Sequence, residues 1–504
     1  MTNAKQILTN ISSNQVIFFL NIGVVFFLTP FVIETLGKKY YGAWILINTV
    51  LGYFSILEFG IRPALSRFVA KYRALGDIKK LESSISTAFF LLCITSIFCL
   101  IATLGISLFI NHIFELEGAS IHLVRLTVAT VGIGFAIAIP LQIFGSALAG
   151  MERFDLINIG NFIELVFRTG LIVYFLNNNG NIWHIAFSTV FISILRNFLD
   201  IYFVKKQIRY IRVAISRFEK KFVMELLGYG IFSVIINISL VLIYQTDISI
   251  IGIFLGTSYV AVYSIPGTLV EYSRMMIEQC TRIFTPVMTR SFYSDSKEKL
   301  IEIYFEATYY IASFSILIIV GILLLGKEFI LLWVGKDFIS GIPVLYLLMI
   351  PQVVGLSQQI SSQVLFGVNK INSLAVIEAC SAVMNLVLSL ILVKSFGLKG
   401  VALGTAIPLL ITHTIILPVY TCRYLKVNFF SYLKKCYLKN LCLFACLSSL
   451  AVVKRHYLII DSWPVFAATA AFITLLWGIL FVTFLLKSEH KKVMLRKIKT
   501  MYTP

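Results

Sequence analysis

Ionisable side chains are scarce in this chain. Asp, Glu, Lys and Arg make up 13% of its 504 residues, against roughly 25% in soluble domains, while hydrophobic residues reach 59%. That balance excludes an ordinary soluble globule and implies a polytopic membrane protein. Cysteine is sparse as well, and Cys93, Cys99, Cys280, Cys380, Cys422, Cys436, Cys442 and Cys446 show no C-x-x-C spacing. They read as small apolar side chains, so neither a metal centre nor a redox cofactor is expected. The phosphate loop G-x-x-x-x-G-K-[ST] is missing, which excludes ATP hydrolysis by this chain itself. Outer connections such as Asn177 to Asn181 and Gly256 to Tyr259 are too short to hold an extracytoplasmic domain. The first apolar run lacks a small-residue cleavage site and is expected to stay as the first helix.

What the chain does have is long apolar runs. A span needs roughly 20 apolar residues, and about fourteen stretches qualify. They are 14–33, 41–62, 85–110, 122–148, 158–177, 182–204, 224–254, 258–286, 303–326, 342–366, 371–393, 399–422, 435–453 and 463–486. The run 224–254 exceeds one bilayer thickness and should tilt or project. Roughly 29 of the 43 Lys and Arg fall beside the N-terminus, after even-numbered spans and in the tail, against about nine on the other side. Both termini are therefore expected in the cytoplasm, and the net charge of +19 is explained by anchoring beside anionic lipid without nucleic acid.

The chain also repeats itself. Leu36-Gly37-Lys38-Lys39-Tyr40 returns as Leu255-Gly256-Thr257-Ser258-Tyr259 (255 − 36 = 219), and Asp77 and Lys80 find Ser296 and Lys299 at that offset. Gly150 and Gly180 find Gly367 and Gly397 at a second offset (367 − 150 = 217). An even number of spans per copy gives a parallel repeat about an axis along the membrane normal. The expected fold is an all-α polytopic membrane protein with two pseudo-symmetric six-helix lobes and two further C-terminal helices. Its divisions are an N-terminal lobe (1–204), a basic cytoplasmic linker (205–223), a C-terminal lobe (224–422), two additional transmembrane helices (423–486) and a basic cytoplasmic tail (487–504).

Against this apolar background a few charges are conspicuous. Val260 to Arg290 reads as one long helix, and Glu271, Arg274, Glu278 and Arg282 fall within about 80° of one another on it. An ionised side chain at the bilayer centre costs about 2.5 to 3.5 kcal/mol on insertion scales, so the four should face water or each other. The plainer alternative is ion pairs that only hold helices together. In the first half Ser55, Glu58 and Arg62 are expected on one face of the second helix. Asn14, Asn21, Asn237 and Gln359 either meet a ligand or cross-link helices. Asp247, Glu378 and Glu164 are candidates to carry a coupling proton or sodium ion. Arg196 and Asp200, four apart, read as a structural pair. The intramembrane cations Arg62, Arg168, Arg196, Arg274 and Arg282 are all arginine, whose fixed charge and forked donors match phosphate oxygens.

The stretch YYGAWILINTVLGYFSILEFGI before Arg62, with TDISIIGIFLGTSYVAVYSIPGTL around Asp247, resembles the polysaccharide-exporter branch of the multidrug/oligosaccharidyl-lipid/polysaccharide (MOP) superfamily. Within it, Wzx-type flippases of O-antigen and capsule repeat units are the nearest likeness. The resemblance implies alternating access and transfer of undecaprenyl-pyrophosphate-linked oligosaccharide from the cytoplasmic to the outer leaflet of the bacterial inner membrane. A polysaccharide polymerase and a chain-length regulator are the partners it implies. Arg274 and Arg282, with Arg62, would attract the pyrophosphate, while flanking amides hold sugar hydroxyls. Two other classes stay open. A drug or cation exporter of the same superfamily would use the acids for cations. A membrane glycan polymerase would be an enzyme, but it calls for a large outer loop that this chain lacks. No catalytic activity is expected.

Overall fold

The computed structural model describes residues 4–58, 60–208, 212–228, 231–294, 296–451, 454, 459–487 and 491. Most of the expected basic tail lies outside them. Everything described is helix and short connection: α1 (Ala4–Gly52), α2 (Ile61–Ala74), α3 (Ile78–Ile113), α4 (Ile121–Leu141), α5 (Ile143–Gly150), α6 (Phe154–Asn177), α7 (Ile182–Gln207), α8 (Lys220–Gly228) and α9 (Ile231–Phe254). There follow α10 (Thr257–Thr281), α11 (Phe284–Ser294), α12 (Lys297–Val334), α13 (Ile342–Met349), α14 (Gln352–Gly367), α15 (Ile371–Leu409), α16 (Leu417–Leu425), α17 (Phe429–Ser448) and α18 (Trp463–Leu480).

Among the described residues nine helical stretches are long and apolar enough to cross a membrane. Two of them, Ser13–Glu58 and Ile371–Leu425, bend at Gly37 and Gly397, so each covers two of the expected spans. A tenth is the bent pair Lys336–Met349 with Gln352–Gly367, broken by 47°. The remaining expected spans are α10 and α17, which fail on composition alone because α10 carries Glu271, Arg274 and Glu278 and α17 carries Lys434, Lys435 and Lys439.

The internal repeat is written into the helix boundaries. Gly37 (φ +77°) and Gly256 (φ +102°) each precede a second helix of their half, in a conformation that a side chain on Cβ resists. Asp77 caps α3 by accepting from the Lys80 amide, and Ser296 caps α12 by accepting from the Lys299 amide, again 219 apart. Helices α6 and α15 start at Phe154 and Ile371, just after Glu152 and Asn369, which both take positive φ at the 217 offset. Bonding from Lys80 holds the exposed Asp77 carboxyl below its ordinary range.

The chain forms two compact units, Met1–Val262 and Tyr263–Pro504, dividing inside α10. In the first, α3 packs along α4, α4 and α6 along α7, α1 along α6 and α2 along α5. Helix α1 lies against α9 and the start of α10 through close contacts: a Cβ at Gly42 would run into the Thr257 carbonyl of α10, and one at Gly52 into the Gln245 amide of α9. In the second unit the long α12 is the centre, packed by α14, α17 and α18. Buried polar groups tie it: Ser313 donates to Asn440 Oδ1 at 2.6 Å, Asn440 donates to the Tyr309 carbonyl, and Trp477 Nε1 donates to the Ser313 carbonyl.

Three expectations about single elements need correction. The helix expected over Val260 to Arg290 stops at Thr281 and resumes at Phe284, so Arg282 sits in the break. The second helix does not run through 41–62: α1 ends at Gly52, Tyr53–Glu58 tightens to a 3-10 helix, and Gly60 turns left-handed (φ +71°) before α2. Finally, the over-long run 224–254 divides into the short α8 and the membrane-length α9.

Candidate functional site

The charged stripe of α10 forms a ladder along its own helix. Arg274 grips Glu271 with two bonds, Nε to Oε2 at 3.0 Å and Nη2 to Oε1 at 2.6 Å, and reaches Glu278 Oε2 from Nη1 at 3.2 Å. Arg282 donates to Glu278 Oε1 from Nε at 3.1 Å and from Nη2 at 2.6 Å. The i, i+3 and i, i+4 spacing puts each carboxylate one turn from a guanidinium, so the four charges cancel locally. The ladder is not sealed: Glu271, Arg274 and Glu278 keep 32%, 21% and 27% of their side-chain surface, and Arg282 keeps 67%. These bonds run along one helix rather than across to another, unlike the helix-holding pairs that the plainer reading requires. Gln359 of α14 braces the ladder from behind, accepting from Thr281 Oγ1 at 3.1 Å and donating to the Arg274 carbonyl at 3.3 Å.

Unit 1 holds a second constellation. A cavity of about 460 Å³ is lined by Ser55, Glu58, Arg62, Ser146, Arg196 and Asn237 among others. Glu58 and Arg62 meet there although they sit on different elements, because the left-handed turn at Gly60 returns Arg62 toward the carboxylate. Their single bond, from Arg62 Nη1 to Glu58 Oε2, is long at 3.4 Å. Arg196 of α7 reaches the same cavity and lies 3.4 Å from Asp200 Oδ2, whose side chain is fully enclosed. Room for this pair comes from Gly145 and Gly160, where an added Cβ would stand 3.0 Å from Asp200 Oδ2 and 3.7 Å from Arg196 Nε.

Two of the remaining candidates lie near these clusters: Glu164 stands within electrostatic reach of Asp200, and Glu378 has in His413 a neighbour within that of Arg274. Asn14 accepts from Asn158 at 2.6 Å, a cross-link of α1 to α6, and Asn21 donates to the Ile17 carbonyl of its own helix. Asp247 is buried in α9. Glu164 stands 4.0 Å from Arg168 on α6, and Glu378 of α15 meets His413 Nε2 at 3.2 Å. His413 was not foreseen; a π-helical turn over Leu410–Ile416 displays it. Arg196 was expected chiefly as half of a structural pair with Asp200. Its signal lay in Gly145 and Gly160, which mark close approach by another group. A separate apolar cavity of about 280 Å³ lies between α12 and α18, lined by Leu269, Leu317, Gly321, Phe329, Phe466 and Ile473 among others.

Paired, repeated membrane helices with charge clusters partly open among them give this chain the MOP fold. The inward-facing structure of a multidrug resistance MATE family transporter of that superfamily superposes with a TM-score of 0.69, covering 84% of this chain and 94% of that one at 16% identity. The particular family follows from sequence: the profile of the family described as "Polysaccharide biosynthesis protein" matches residues 36–343, and the chain belongs to that family. The "Uncharacterized membrane protein EpsK" of Bacillus subtilis (strain 168) is 24% identical over 504 aligned residues, 97% of each chain. A Shigella flexneri protein named "Putative O-antigen transporter" is 22% identical over 394, covering 78% of this chain and 92% of its own. The Wzx-type, polysaccharide-exporter likeness read from Tyr40–Ile61 and Thr246–Leu269 agrees with this membership.

Proposed function

We propose that the protein carries oligosaccharide repeat units linked to undecaprenyl pyrophosphate from the cytoplasmic to the outer leaflet of the bacterial inner membrane. The units feed O-antigen, capsule or exopolysaccharide assembly, with a polymerase and a chain-length regulator as downstream partners. The observation that carries the reading is the ladder of Glu271, Arg274, Glu278 and Arg282, four charges along the C-terminal half of α10 and the break after it that stay partly exposed, in a family of polysaccharide biosynthesis. Charges in such a place are retained because something polar passes them. Guanidiniums that stay ionised attract a pyrophosphate, and carboxylates of the same ladder accept from sugar hydroxyls. The neutral sum suits a large, mostly uncharged glycan, which must enter without being trapped.

The acyl tail stays in an apolar environment throughout, and the cavity beside Phe329 and Ile473 is the place proposed for it. Halves 1–204 and 224–422 act as the moving lobes, with N- and C-termini in the cytoplasm. Coupling to a proton or sodium ion falls to Glu164, Asp247 or Glu378; Glu378 has in His413 a neighbour able to exchange a proton with it.

Arg274→Ala tests the assignment. Surface polysaccharide should disappear at unchanged protein level, and Arg274→Lys, which keeps charge but not the fork, should restore part of it. Normal polysaccharide in the Ala variant removes Arg274 from the path. Raised sensitivity to toxic cations with intact polysaccharide would favour the cation-exporter reading instead.

A further inference from the structure

The second helix of each half breaks, and the fastening beyond the break repeats with the chain. Gln142-Ile143, Leu148 and Gly150 return as Gln359-Ile360, Leu365 and Gly367 (359 − 142 = 217). In the first half Ser66 of α2 donates to the Ser146 carbonyl of α5 at 2.8 Å, and a Cβ at Gly150 would run into the Ser66 carbonyl. In the second, Thr285 of α11 donates to Gln363 Oε1 of α14, and a Cβ at Gly367 would run into Met288. Both partners keep the repeat offsets (285 − 66 = 219; 363 − 146 = 217), so one contact is built twice.

The second half adds a bridge on the near side of its break. Thr281, fully buried at the end of α10 and 3.2 Å from the Glu278 carbonyl, also donates to Gln359 Oε1 at 3.1 Å. Gln359 Nε2 donates in turn to the Arg274 carbonyl at 3.3 Å. The first half carries Arg62 at the position of Thr281 (281 − 62 = 219), and Arg62 turns to Glu58. The break itself comes from Pro286, which has no N–H to give and whose ring crowds the carbonyl four residues back. That carbonyl belongs to Arg282 and accepts from the Thr285 amide at 3.3 Å instead. Losing a helix bond there removes what would otherwise fix the angle between the two arms. Two amides one turn apart on α14 meet two hydroxyls one turn apart across the break, matched because both pairs are spaced by four.

We propose that Gln359 and Gln363 are positioning residues: from α14 they clamp the break between α10 and α11 at a fixed angle, and so aim Arg282, the ladder residue inside the break. The relevance to transport rests on the function proposed above; the clamp rests on the two Thr–Gln bridges and the close contact at Gly367. Arg282 keeps 67% of its side-chain surface, so its direction is set by the backbone that carries it more than by packing around it. Glu278, which Arg282 grips with two bonds, sits on the near arm, and Gln359 pins the last residue of that arm. When the angle relaxes, that rung parts and the ladder loses its end.

Hydrogen exchange of the purified full chain in phosphatidylcholine nanodiscs, read by mass spectrometry over residues 278–287, tests the clamp. Removing both hydroxyls with the pair Thr281→Val and Thr285→Val should speed exchange there about ten- to a hundredfold, while the centre of α12 keeps its wild-type rate. The conservative pair Thr281→Ser and Thr285→Ser, which keeps both donors, should exchange within about threefold of wild type. Gln359→Leu with Gln363→Leu removes the same bridges from the other side and should open the same residues. Unchanged exchange in the valine pair overturns the clamp. A rise spread evenly over α12 and α14 overturns it as well, because it marks general loosening. Surface polysaccharide, scored in the same strains, should fall about tenfold in the valine pair and return in the serine pair. Full polysaccharide beside a locally opened break overturns the positioning role. Intact polysaccharide after disruption of the gene refutes the flippase reading and leaves the exchange result standing.

Discussion

Arg274 shows how little a spacing says about strength until the side chains are placed. The three- and four-residue intervals of Glu271, Arg274, Glu278 and Arg282 predict neighbours on one face, and the structure joins them. The same reasoning put Ser55, Glu58 and Arg62 on one helix, where Gly60 in fact breaks the chain, so the right residues meet for a different reason. Amides were the least legible, because an Asn on a polar stripe satisfies itself as readily as it binds a ligand. Asn158 and the Ile17 carbonyl take up Asn14 and Asn21. Replacing Asn14 by Leu should therefore cost stability, on the order of 0.5 to 1.5 kcal/mol for the lost part-buried bond, and leave substrate recognition unchanged. Melting temperature and polysaccharide yield, measured together, separate the two roles. At the start of α3, bonding lowers the Asp77 carboxyl's pKa, so its capping contribution is present above the ordinary carboxylate range and disappears as pH falls through the lowered value. Asp77→Ala should flatten that acid limb in a pH series of melting temperatures.

At the scale of elements, glycine decides where helices bend and how closely they approach. Gly37 and Gly256 take positive φ, and their Leu-Gly-x-x-Tyr context was visible as a repeat before any coordinates. The close contact at Gly42 was not, since a glycine inside an apolar run gives no hint of its neighbour. Gly42→Ala pushes a methyl into the Thr257 carbonyl and should destabilise by about 1 to 3 kcal/mol. Gly23→Ala meets nothing within 4 Å and should stay within about 1 kcal/mol of wild type. Equal melting temperatures for the two variants would mean that α1 and the start of α10 do not pack as described. Helix α17 shows the converse: its apolar run was legible as 435–453 despite the lysines, while its bonding to α12 through Asn440 was not. Asn440→Leu should cost about 1 to 3 kcal/mol, read as a lower melting temperature.

For the whole molecule, the class was legible from scarcity of charge and the run lengths, because a bilayer leaves so few alternatives. The internal repeat was legible from a handful of matches, which the helix caps at Asp77 and Ser296 and the turns at Glu152 and Asn369 now anchor. What the sequence hid is three-dimensional: that Arg196 turns into a cavity with Arg62, and that His413 stands beside Glu378. Those contacts join residues more than 30 positions apart, which no helical period reports. The central claim, that lipid-linked repeat units cross the membrane past the guanidiniums of this chain, is tested most directly by labelling such units on the outer face of intact spheroplasts. In cells carrying Arg274→Ala the units should accumulate while their outer-face fraction falls at least tenfold; an unchanged outer-face fraction with normal polymer would contradict the account.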